Sequence, residues 1–270
     1  MSQWQNQFQQ QVLAIGFFDG LHKGHLSVIQ EAKRLAGVYE VPVAVMSFFP
    51  HPKTILTDLP NSFQYLMPLE DKQALLAELG IDTLFLVHFD HDIACLPSAN
   101  FVQSFLIGLN AMHVVCGPDF HYGSRGSGCT HSLKKQGERH FQVSVIELME
   151  YNGEKISSTR IRQALAKGNI SILQKLLGKF YTVNWCPQNG LLPFYSLPAP
   201  GQYEVKLHYN NEIVSCNARV LNEKEAKFTH DFNQWSQSIK IEWVRAITSA
   251  ELNEEKRKQI FYQQYEEALN

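Results

Sequence analysis

Two histidines in the segment GFFDGLHKGHL, residues 16–26, have a spacing that could support chemistry. His22 and His25 flank Lys23 and Gly24, between an apolar run and a segment of helical periodicity. Gly24 has no side chain, so a phosphate could approach the main chain there, and a helix start offers unpaired N–H groups to an anion. Two imidazoles in such a turn could donate hydrogen bonds to charge developing on a phosphoryl oxygen. H-x-G-H alone also leaves open a metal-binding pair or two surface histidines.

The segment ISSTRIR, residues 156–162, is a second group suited to phosphate. Ser157, Ser158 and Thr159 place three hydroxyl groups at a predicted helix start, and Arg162 follows about one turn later. Hydroxyl and main-chain donors could hold the oxygens of β- and γ-phosphates while a guanidinium offsets their charge. An ordinary Ser/Thr helix cap followed by solvated arginines is the alternative.

The elements that would position these segments alternate between strands and helices. Apolar runs and helical spacing define the predicted elements: strands over residues 12–17, 41–48, 83–87, 112–116 and 141–148, and helices over residues 25–35, 69–79 and 98–109. Gly37 is the expected stop of the first helix. This alternation is typical of a parallel α/β sheet with right-handed crossovers, in which ligands bind beyond the carboxyl ends of the strands.

The pattern changes near residue 181, after two short helices that end near Gly168 and Leu177. The runs GQYEVKLHY, EIVSCNARV and SIKIEWVRAI predict antiparallel strands, and residues 249–269 predict an amphipathic helix. We therefore predict an α/β domain over residues 1–180 and a small β domain with a C-terminal helix over residues 181–270.

Composition excludes several classes of protein. The 270 residues carry 24 Lys and Arg against 26 Asp and Glu, a formal net charge of −2, so no nucleic acid partner held by bulk charge is expected. No apolar run reaches the roughly 18 residues of a membrane span, and we expect neither a membrane partner nor a signal peptide. The five cysteines are scattered, which favours a reducing, cytoplasmic location.

Four segments occur in order between residues 12 and 181: GFFDGLHKGHL, SFFPHP, VVCGPDFHYG, and ISSTRIRQAL with LLGKFY. Together they resemble the adenylyltransferase half of the prokaryotic FAD synthetases, the bifunctional riboflavin kinase/FMN adenylyltransferases of the H/T-x-G-H nucleotidyltransferase superfamily. H-x-G-H marks only the superfamily, whereas the joint set is specific to its flavin members. The resemblance implies a Rossmann-like parallel-sheet nucleotidyltransferase domain and the reaction FMN + ATP → FAD + pyrophosphate, with Mg²⁺ on ATP and no covalent protein nucleophile.

The resemblance also implies roles for particular residues. Those that would contact the reacting phosphates or hold the triphosphate and the leaving pyrophosphate are His22, His25, Ser158, Thr159 and Arg162. Those that would line the adenine nucleotide site are Gly16, Phe17, Phe18, Asp19, Gly24 and Ser157. Those that would border the flavin are Phe48, Pro50, His51, Pro52, Asp119, Phe120 and Tyr122. Loop packing is the alternative for the aromatic residues of the last group, and no protein metal ligand is predicted.

Two positions depart from the usual pattern of the family. Phe17 stands where the family usually has Asn, and Phe49 stands where it usually has Glu before PHP. Each change puts an apolar ring where a polar group would lie near substrate. The phosphate-binding segments are unchanged, so the expected effect is on the placement of the nucleotide or the flavin.

The second domain departs further from the family, where it is a riboflavin kinase barrel. The stretches APGQYEV and IKIEWVRAI resemble strands of that barrel, and the predicted terminal helix resembles its last helix. The Pro-Thr-Ala-Asn segment that binds metal and nucleotide in the family does not occur in this chain. We therefore predict a degenerate β-barrel-like domain without kinase activity.

FMN adenylyltransferase activity without riboflavin kinase activity is thus the predicted function, with ATP, FMN, FAD and pyrophosphate as partners. Three alternatives stay open: a sister adenylyltransferase for pantetheine phosphate or nicotinate mononucleotide, a flavin- or nucleotide-binding regulatory paralogue with little turnover, and a bifunctional enzyme that retains riboflavin kinase activity. His88 and His91 allow a metal cluster, although a polar loop after a strand explains them as well.

Overall fold

The computed structural model describes residues 7–56, 63–231, 235–251 and 253–254. Contacts within the chain divide it into two compact units, Met1–Ser158 and Thr159–Asn270. The two helices that precede residue 181 therefore belong mostly to the second unit, whereas the sequence groups them with the first domain. The functional boundary after residue 180 stays a prediction, because compactness does not define where an activity ends.

The first unit is built on a five-stranded sheet in the order β3-β2-β1-β4-β7, in which all neighbouring strands are parallel. The strands of this unit are β1 Gln11–Ile15, β2 Val43–Phe49, β3 Thr83–His88, β4 Ala111–Cys116, β5 His121–Tyr122, β6 Gly128–Cys129, β7 Gln142–Val145, β8 Glu150–Tyr151 and β9 Glu154–Lys155. The pairs β5–β6 and β8–β9 are short antiparallel hairpins. The predicted Rossmann-like parallel sheet is confirmed.

The order of the strands defines where a ligand can bind. The chain moves from β1 to β2 and β3 on one side, and then returns to β4 and β7 on the other side of β1. The connections reverse direction between β1 and β4, and ligands of open α/β sheets bind beyond the carboxyl ends of the strands at such a point. The segment that carries the two histidines follows β1 directly.

Within the described residues of this unit, six α-helices cover or flank the sheet. They are α1 Lys23–Tyr39, α2 Pro52–Leu56, α3 Leu69–Glu78, α4 His91–Cys95, α5 Ser98–Phe101 and α6 Thr130–Gly137. The first helix runs past Gly37 and ends before Glu40, which is left-handed with φ 54°, so the predicted stop at Gly37 is wrong. The last part of the predicted helix 98–109 is a π-helical segment, Val102–Ile107, that continues α5.

Apolar residues pack on both faces of the parallel sheet. Along β1, Leu13 and Ile15 belong to one hydrophobic cluster, while Val12 and Ala14 belong to the other cluster, on the face covered by α1. Every residue of β1 is buried. Continuous burial of this kind is typical of a central parallel strand covered on both sides, and it fixes the position of the turn that follows.

The described part of the second unit is a barrel-like antiparallel sheet preceded by two helices and followed by a short helical segment. Its elements, in chain order, are α7 Ser158–Ala166, α8 Ile170–Leu177, β10 Tyr181–Cys186, β11 Gly190–Leu191, β12 Gly201–Tyr209, β13 Glu212–Val220, β14 Ala226–Phe228 and β15 Ile239–Ala246. The strand order is β11-β10-β15-β12-β13-β14, with every pairing antiparallel. The predicted small β-barrel-like domain is confirmed as a fold.

Alternating residues of the central strands form the core of this second sheet. Val205 and Leu207 on β12 and Ile241 and Trp243 on β15 are fully buried. Of the predicted terminal helix, residues 249–251 and 253–254 are helical, and the remainder lies outside the described residues. None of the described helices combines the length and apolar character needed to cross a bilayer.

Candidate active site

The turn after β1 has an unusual backbone conformation. Phe18, Gly20 and Leu21 lie in the left-handed region, with φ values of 49°, 80° and 41°. Holding a residue other than glycine in this region costs about 1 kcal/mol or more. The side chains of Phe18 and Leu21 are only 1% and 0% exposed, so their packing offsets this cost. The turn is therefore a defined structure held by its surroundings.

Hydrogen bonds join this turn to the second predicted phosphate segment. The Ser158 hydroxyl donates to the Asp19 carbonyl at 2.9 Å, and the Asp19 carboxylate accepts from the Leu66 main-chain N–H at 3.1 Å. A Cβ added at Gly24 would lie 3.7 Å from the Ile156 carbonyl oxygen, so main chain packs against main chain there. The structure thus brings the start of ISSTRIR to the histidine turn.

His22 and His25 stack on each other at the start of α1. Their ring centroids lie 3.6 Å apart with planes inclined by 16°. His22 caps the helix, and its Nδ1 accepts the main-chain N–H of His25 at 3.2 Å. Nδ1 of His25 is buried and has no hydrogen-bond partner among the described residues. The pair therefore places one engaged and one unpartnered imidazole nitrogen beside the helix N-terminus.

Burial keeps both imidazoles neutral near pH 7. It lowers the pKa of His22 to about 4, the charge of Lys155 lowers it further, and a main-chain hydrogen bond and the charge of Asp119 act in the opposite direction. Burial also lowers the pKa of His25 well below its ordinary value, and the charges of His22, Lys72 and Lys155 add to this. Stacking agrees with neutrality, since two imidazolium rings at this separation would repel each other.

The N-terminus of α1 can attract an anion. The helix has 17 residues and carries no acidic side chain in its first turn. Its first main-chain N–H groups and the helix dipole favour negative charge at this end. Gly24 lies in this first turn, where a Cβ would lie 3.3 Å from the ring of His22. Gly24 thus packs closely on the His22 ring, and the contact of Gly24 with ATP stays a prediction.

Thr159 and Arg162 lie on α7, in the second compact unit. The buried face of this helix consists of Ile161, Ala164 and Leu165, so Thr159 is exposed and Arg162 is partly buried. The predicted helix start at ISSTRIR is confirmed by α7. The positions of these two side chains relative to the histidines stay a prediction.

The ring of Phe17 lies among the residues that were predicted to border the flavin. Its centroid is 5.2 Å from Phe48 and 5.0 Å from His51. His51 in turn stacks on Phe63 at 3.9 Å, and its main-chain N–H donates to the Tyr65 hydroxyl at 2.8 Å. These five residues form an aromatic cluster at the carboxyl ends of β1 and β2, with Phe48 on β2 itself. The predicted contact of Phe17 with ATP would therefore have to involve its main chain.

The end of β2 and the loop that follows it adjoin this aromatic cluster. Phe49, the second departure from the family pattern, has its ring 5.8 Å from that of Tyr65. The Phe49–Pro50 peptide bond is cis, and Pro52 begins α2. Pro50, His51 and Pro52 are all partly buried.

Phe120 and Tyr122 belong to the hydrophobic core of the first unit, together with Phe48. The rings of Phe120 and Tyr122 stack at 5.6 Å, and the Tyr122 hydroxyl donates to the Gln136 side-chain oxygen at 2.8 Å. Their observed role is packing, as the alternative interpretation has it. Their contact with flavin stays a prediction.

Asp119 differs from its aromatic neighbours because it is exposed. Its carboxylate forms an ion pair with Lys155 Nζ at 2.5 Å, with the two side chains 62% and 38% exposed. Lys155 immediately precedes ISSTRIR, and both charges of this pair affect the pKa of His22. The pair therefore joins the loop after β4 to the phosphate segment, beside the stacked histidines.

Among the described residues, no three or more His, Cys, Asp and Glu side chains are grouped so that they could hold a metal ion. His88 and His91 therefore form no such group there. Mg²⁺ bound to a nucleotide keeps most of its ligands on phosphates and water. Asp119 is the carboxylate whose charge acts on His22, and it is paired with Lys155.

Sequence reasoning missed several residues of this region. Ser47 and Lys72 bond to the Phe17 carbonyl and Lys155 acts on His22, while Phe63 and Tyr65 contact His51, yet none of these residues was predicted. Lys155 was detectable, since it adjoins ISSTRIR. The others carry no local signal, because their roles depend on contacts between elements.

Comparisons with known proteins agree with this geometry. Residues 4–160 match the family model described as FAD synthetase. A bifunctional riboflavin kinase/FMN adenylyltransferase of Bacillus subtilis is 34% identical over 266 residues, covering 88% of this chain and 84% of the relative. A Listeria monocytogenes protein of the same name is 36% identical over 216 residues, with 74% and 69% covered.

Two further relatives differ in name from these. A protein of Listeria monocytogenes called FAD synthetase is 32% identical over 198 residues, covering 72% of this chain and 80% of the relative. A crystal structure titled as a macrolide-efflux protein from Streptococcus pneumoniae has a TM-score of 0.81 at 26% identity, covering 90% of this chain and 95% of that one.

The family match covers more than half of the chain and includes the stacked histidines, the strained turn and the hydroxyl segment that bonds to it. This chain belongs to the FAD synthetase family.

Proposed function

We propose that this chain is an FMN adenylyltransferase that converts FMN and ATP into FAD and pyrophosphate. The observation that carries the proposal is the hydrogen bond from Ser158 to the Asp19 carbonyl, at 2.9 Å. It joins the start of the hydroxyl segment to the turn that holds two stacked imidazoles at a helix N-terminus. We infer the substrates, FMN and ATP, from membership of the FAD synthetase family.

The reaction is a displacement at the α-phosphorus of ATP. A phosphate oxygen of FMN forms a bond to that phosphorus, while the bond from the phosphorus to the oxygen that bridges to the β-phosphate breaks. Pyrophosphate leaves with the bonding electrons, and the new phosphoanhydride joins FMN to AMP. Catalysis of this kind depends on alignment and on stabilisation of charge, without a protein nucleophile.

His22 and His25 would stabilise charge on the phosphoryl oxygens. Nδ1 of His22 is engaged as an acceptor, so a neutral ring carries its proton on Nε2 and can donate from there. The N–H groups at the start of α1 provide further donors. In a partly dehydrated site such preorganised donors are worth about 3 kcal/mol each.

The hydroxyl segment would hold the β- and γ-phosphates. The Ser158 hydroxyl already donates a hydrogen bond to the Asp19 main-chain carbonyl. We therefore assign the hydroxyl to positioning and the main-chain N–H of Ser158 to phosphate binding. The exposed hydroxyl of Thr159 and the guanidinium of Arg162 supply the remaining donors. Mg²⁺ bound with ATP supplies charge neutralisation on the triphosphate, with Asp119 as the nearby carboxylate.

The second unit carries no riboflavin kinase activity in this proposal. Its antiparallel sheet keeps a buried core that includes Trp243 and Ile241, but the chain lacks the Pro-Thr-Ala-Asn segment to which the family's kinase activity is attributed. A β sheet needs the apolar pattern of its strands and not the catalytic residues, so the fold can outlast the activity.

The test is incubation of the full chain with Mg·ATP and either FMN or riboflavin, followed by chromatography of the flavins. We expect FAD and pyrophosphate from FMN and no phosphorylated product from riboflavin. His25→Ala is the matched variant, with an expected loss of about a hundredfold or more, and His140→Ala, at an exposed position, should be unaffected.

Other outcomes identify the alternatives. Binding of FMN or FAD without turnover would indicate a regulatory paralogue, and conversion of riboflavin to FMN would indicate a bifunctional enzyme. Pyrophosphate release with pantetheine phosphate or nicotinate mononucleotide, but not with FMN, would indicate a sister adenylyltransferase.

A further inference from the structure

Lys72 on α3 is a buried cation to which the proposed mechanism gives no role. Its side chain is only 6% exposed. Nζ donates to the main-chain carbonyl of Phe17 at 2.9 Å and to the Ser47 hydroxyl oxygen at 3.2 Å. The Ser47 hydroxyl itself donates to the same Phe17 carbonyl at 3.0 Å. Two side chains from different elements therefore hold one carbonyl group.

Burial of an ammonium group destabilises the fold unless other interactions offset it, because removal of a charge from water is unfavourable. Burial lowers the pKa of Lys72, and the neighbouring Asp19 carboxylate acts in the opposite direction. That carboxylate also accepts the Leu66 main-chain N–H at 3.1 Å. The other buried residue of α3, Leu76, is apolar and can be buried without the cost of removing a charge from water.

The carbonyl that Lys72 holds lies at the entrance to the strained turn. Phe17 directly precedes Phe18, the first residue of the turn with a positive φ, at 49°. The orientation of the peptide group at Phe17 sets the direction in which the turn leaves β1. The charge of Lys72 also acts on His25, whose pKa it lowers together with the charges of His22 and Lys155.

We propose that Lys72 is a positioning residue for adenylyl transfer, which orients the turn through the Phe17 carbonyl and places a positive charge beneath the site of the ATP phosphates. The proposal rests on the proposed function for the identity of the nucleotide. A polyanionic nucleotide offsets the buried charge, so its binding is favoured by the ammonium group and by the geometry that the group maintains.

The test compares four variants of the full chain. Lys72→Met removes the charge and the hydrogen bonds, Lys72→Gln removes the charge and keeps an N–H donor, and Ser47→Ala keeps the charge and removes one hydrogen bond. Lys33→Met is the matched control, because Lys33 also donates to a main-chain carbonyl, that of Leu79, at an exposed site on α1.

Three readouts separate positioning from simple stability: KM and kcat with ATP, the ATP dissociation constant by calorimetry, and the pKa of His25 by NMR titration. For Lys72→Met we expect KM and the dissociation constant to rise at least tenfold and the pKa of His25 to rise, because a neighbouring positive charge is removed. His22 and Lys155 also face His25 and are unchanged in these variants.

Lys72→Gln should reproduce the rise in the pKa of His25 with a smaller rise in KM. Ser47→Ala should raise KM about threefold without changing that pKa, and Lys33→Met should change neither. A folded Lys72→Met protein with unchanged KM and unchanged His25 pKa overturns the proposal. If Lys72→Met and Lys72→Gln do not fold, an unchanged KM in Ser47→Ala overturns it.

Failure of the proposed function would be seen separately, as absence of FAD from the wild-type chain. The dissociation constant for ATP and the titration of His25 would still be measured in that case. They test the role of Lys72 without requiring turnover.

Discussion

His22 combines a structural and a chemical role in a single ring. Its Nδ1 accepts the His25 N–H at 3.2 Å and so caps α1. An acceptor nitrogen carries no proton, so this bond fixes the tautomer in which Nε2 is the donor. The cap therefore determines which nitrogen can approach a phosphoryl oxygen. Substitutions can separate the two roles.

His22→Asn and His22→Ala should differ in stability and agree in activity. Asn is among the best N-cap residues, whereas Ala has no acceptor and costs about 1 kcal/mol at this position. Both variants lack the imidazole donor, so both should form FAD at least a hundred times more slowly than the wild type. Urea denaturation and a chromatographic assay of FAD measure the two effects.

Comparable activity of His22→Asn and the wild type would refute a chemical role for the ring. His140→Ala provides the baseline, because this histidine is exposed. Equal stability of the Asn and Ala variants would show instead that the cap contributes little to folding.

Stability should fall as the pH falls below neutrality. Burial lowers the pKa of His22 to about 4, from an ordinary value of 6.5. Between these pH values the unfolded chain binds a proton that the folded chain does not, so the free energy of unfolding rises with pH. The loss from pH 7 to pH 5 should be on the order of 2 kcal/mol for this residue, and His25 acts in the same direction.

Urea denaturation at pH 5, 6 and 7 measures this effect in the wild type and in His22→Asn. The variant lacks the titrating ring and keeps a cap, so its stability should depend less steeply on pH. Parallel pH curves for the two proteins would mean that His22 is charged or exposed in the folded state.

Motif residues could be predicted from the sequence, and supporting residues could not. His22 and His25 are recognisable because their spacing is local and their context, a strand followed by a helix, is also local. Lys72 has no such signal: a lysine within a helix usually extends into solvent, and its burial depends on β1, β2 and α3 packing together. Phe63 likewise gains its significance only from its stacking on His51.

At the scale of elements, the loop after β4 and strand β9 are joined by the ion pair of Asp119 and Lys155. The Asp119 side chain is largely exposed and that of Lys155 is partly exposed, and ion pairs near the surface contribute only about 0–1 kcal/mol to stability. Their charges nevertheless act on His22. The pair therefore matters more for the electrostatics of the site than for the stability of the fold.

Lys155→Met should weaken ATP binding without destabilising the protein. Removal of the positive charge should raise the KM for ATP by about three- to tenfold, since an ammonium group beside the phosphates is lost. It should also raise the pKa of His22 toward its ordinary value. Steady-state kinetics and NMR titration of the histidines measure these effects.

Arg34→Met is the matched control, because Arg34 forms a similar exposed ion pair with Glu31 at 2.7 Å on α1. Neither variant should change the melting temperature by more than a few degrees, and only Lys155→Met should change KM. An equal change of KM in both variants would contradict a local role for Lys155.

Element type was predicted more reliably than element ends. The apolar run at the N-terminus gave β1 correctly, because burial on both faces leaves an uninterrupted apolar pattern. The stop at Gly37 was wrong because this glycine is exposed and the helix tolerates it, at a cost of about 1 kcal/mol. The π-helical turn over Val102–Ile107 has no counterpart in local periodicity, since core packing selects it.

At the scale of the whole molecule, α7 and α8 are integrated into the second unit. The Leu165 carbonyl accepts the Ala199 N–H at 2.9 Å, and Tyr203 donates to the Ala199 carbonyl at 2.6 Å. A Cβ at Gly168 would lie only 2.6 Å from the Tyr203 hydroxyl oxygen. The folding of the helix that carries Thr159 and Arg162 therefore depends on the second unit, although the sequence assigns both residues to the adenylyltransferase domain.

Leu207→Ala tests where the adenylyltransferase ends. Leu207 is fully buried in β12, so truncation should cost about 2–5 kcal/mol and lower the melting temperature of the second unit. Because α7 unfolds with this unit, FAD formation should be lost at the same lowered temperature. Of the four tryptophans in the sequence, Trp185, Trp235 and Trp243 lie in the second unit and are buried, so tryptophan fluorescence follows its unfolding in a Trp4→Phe background. Ile213→Ala, at an exposed position of β13, should change neither temperature. FAD formation that persists after the fluorescence transition would mean that α7 and α8 fold with the first unit, as the boundary after residue 180 predicts.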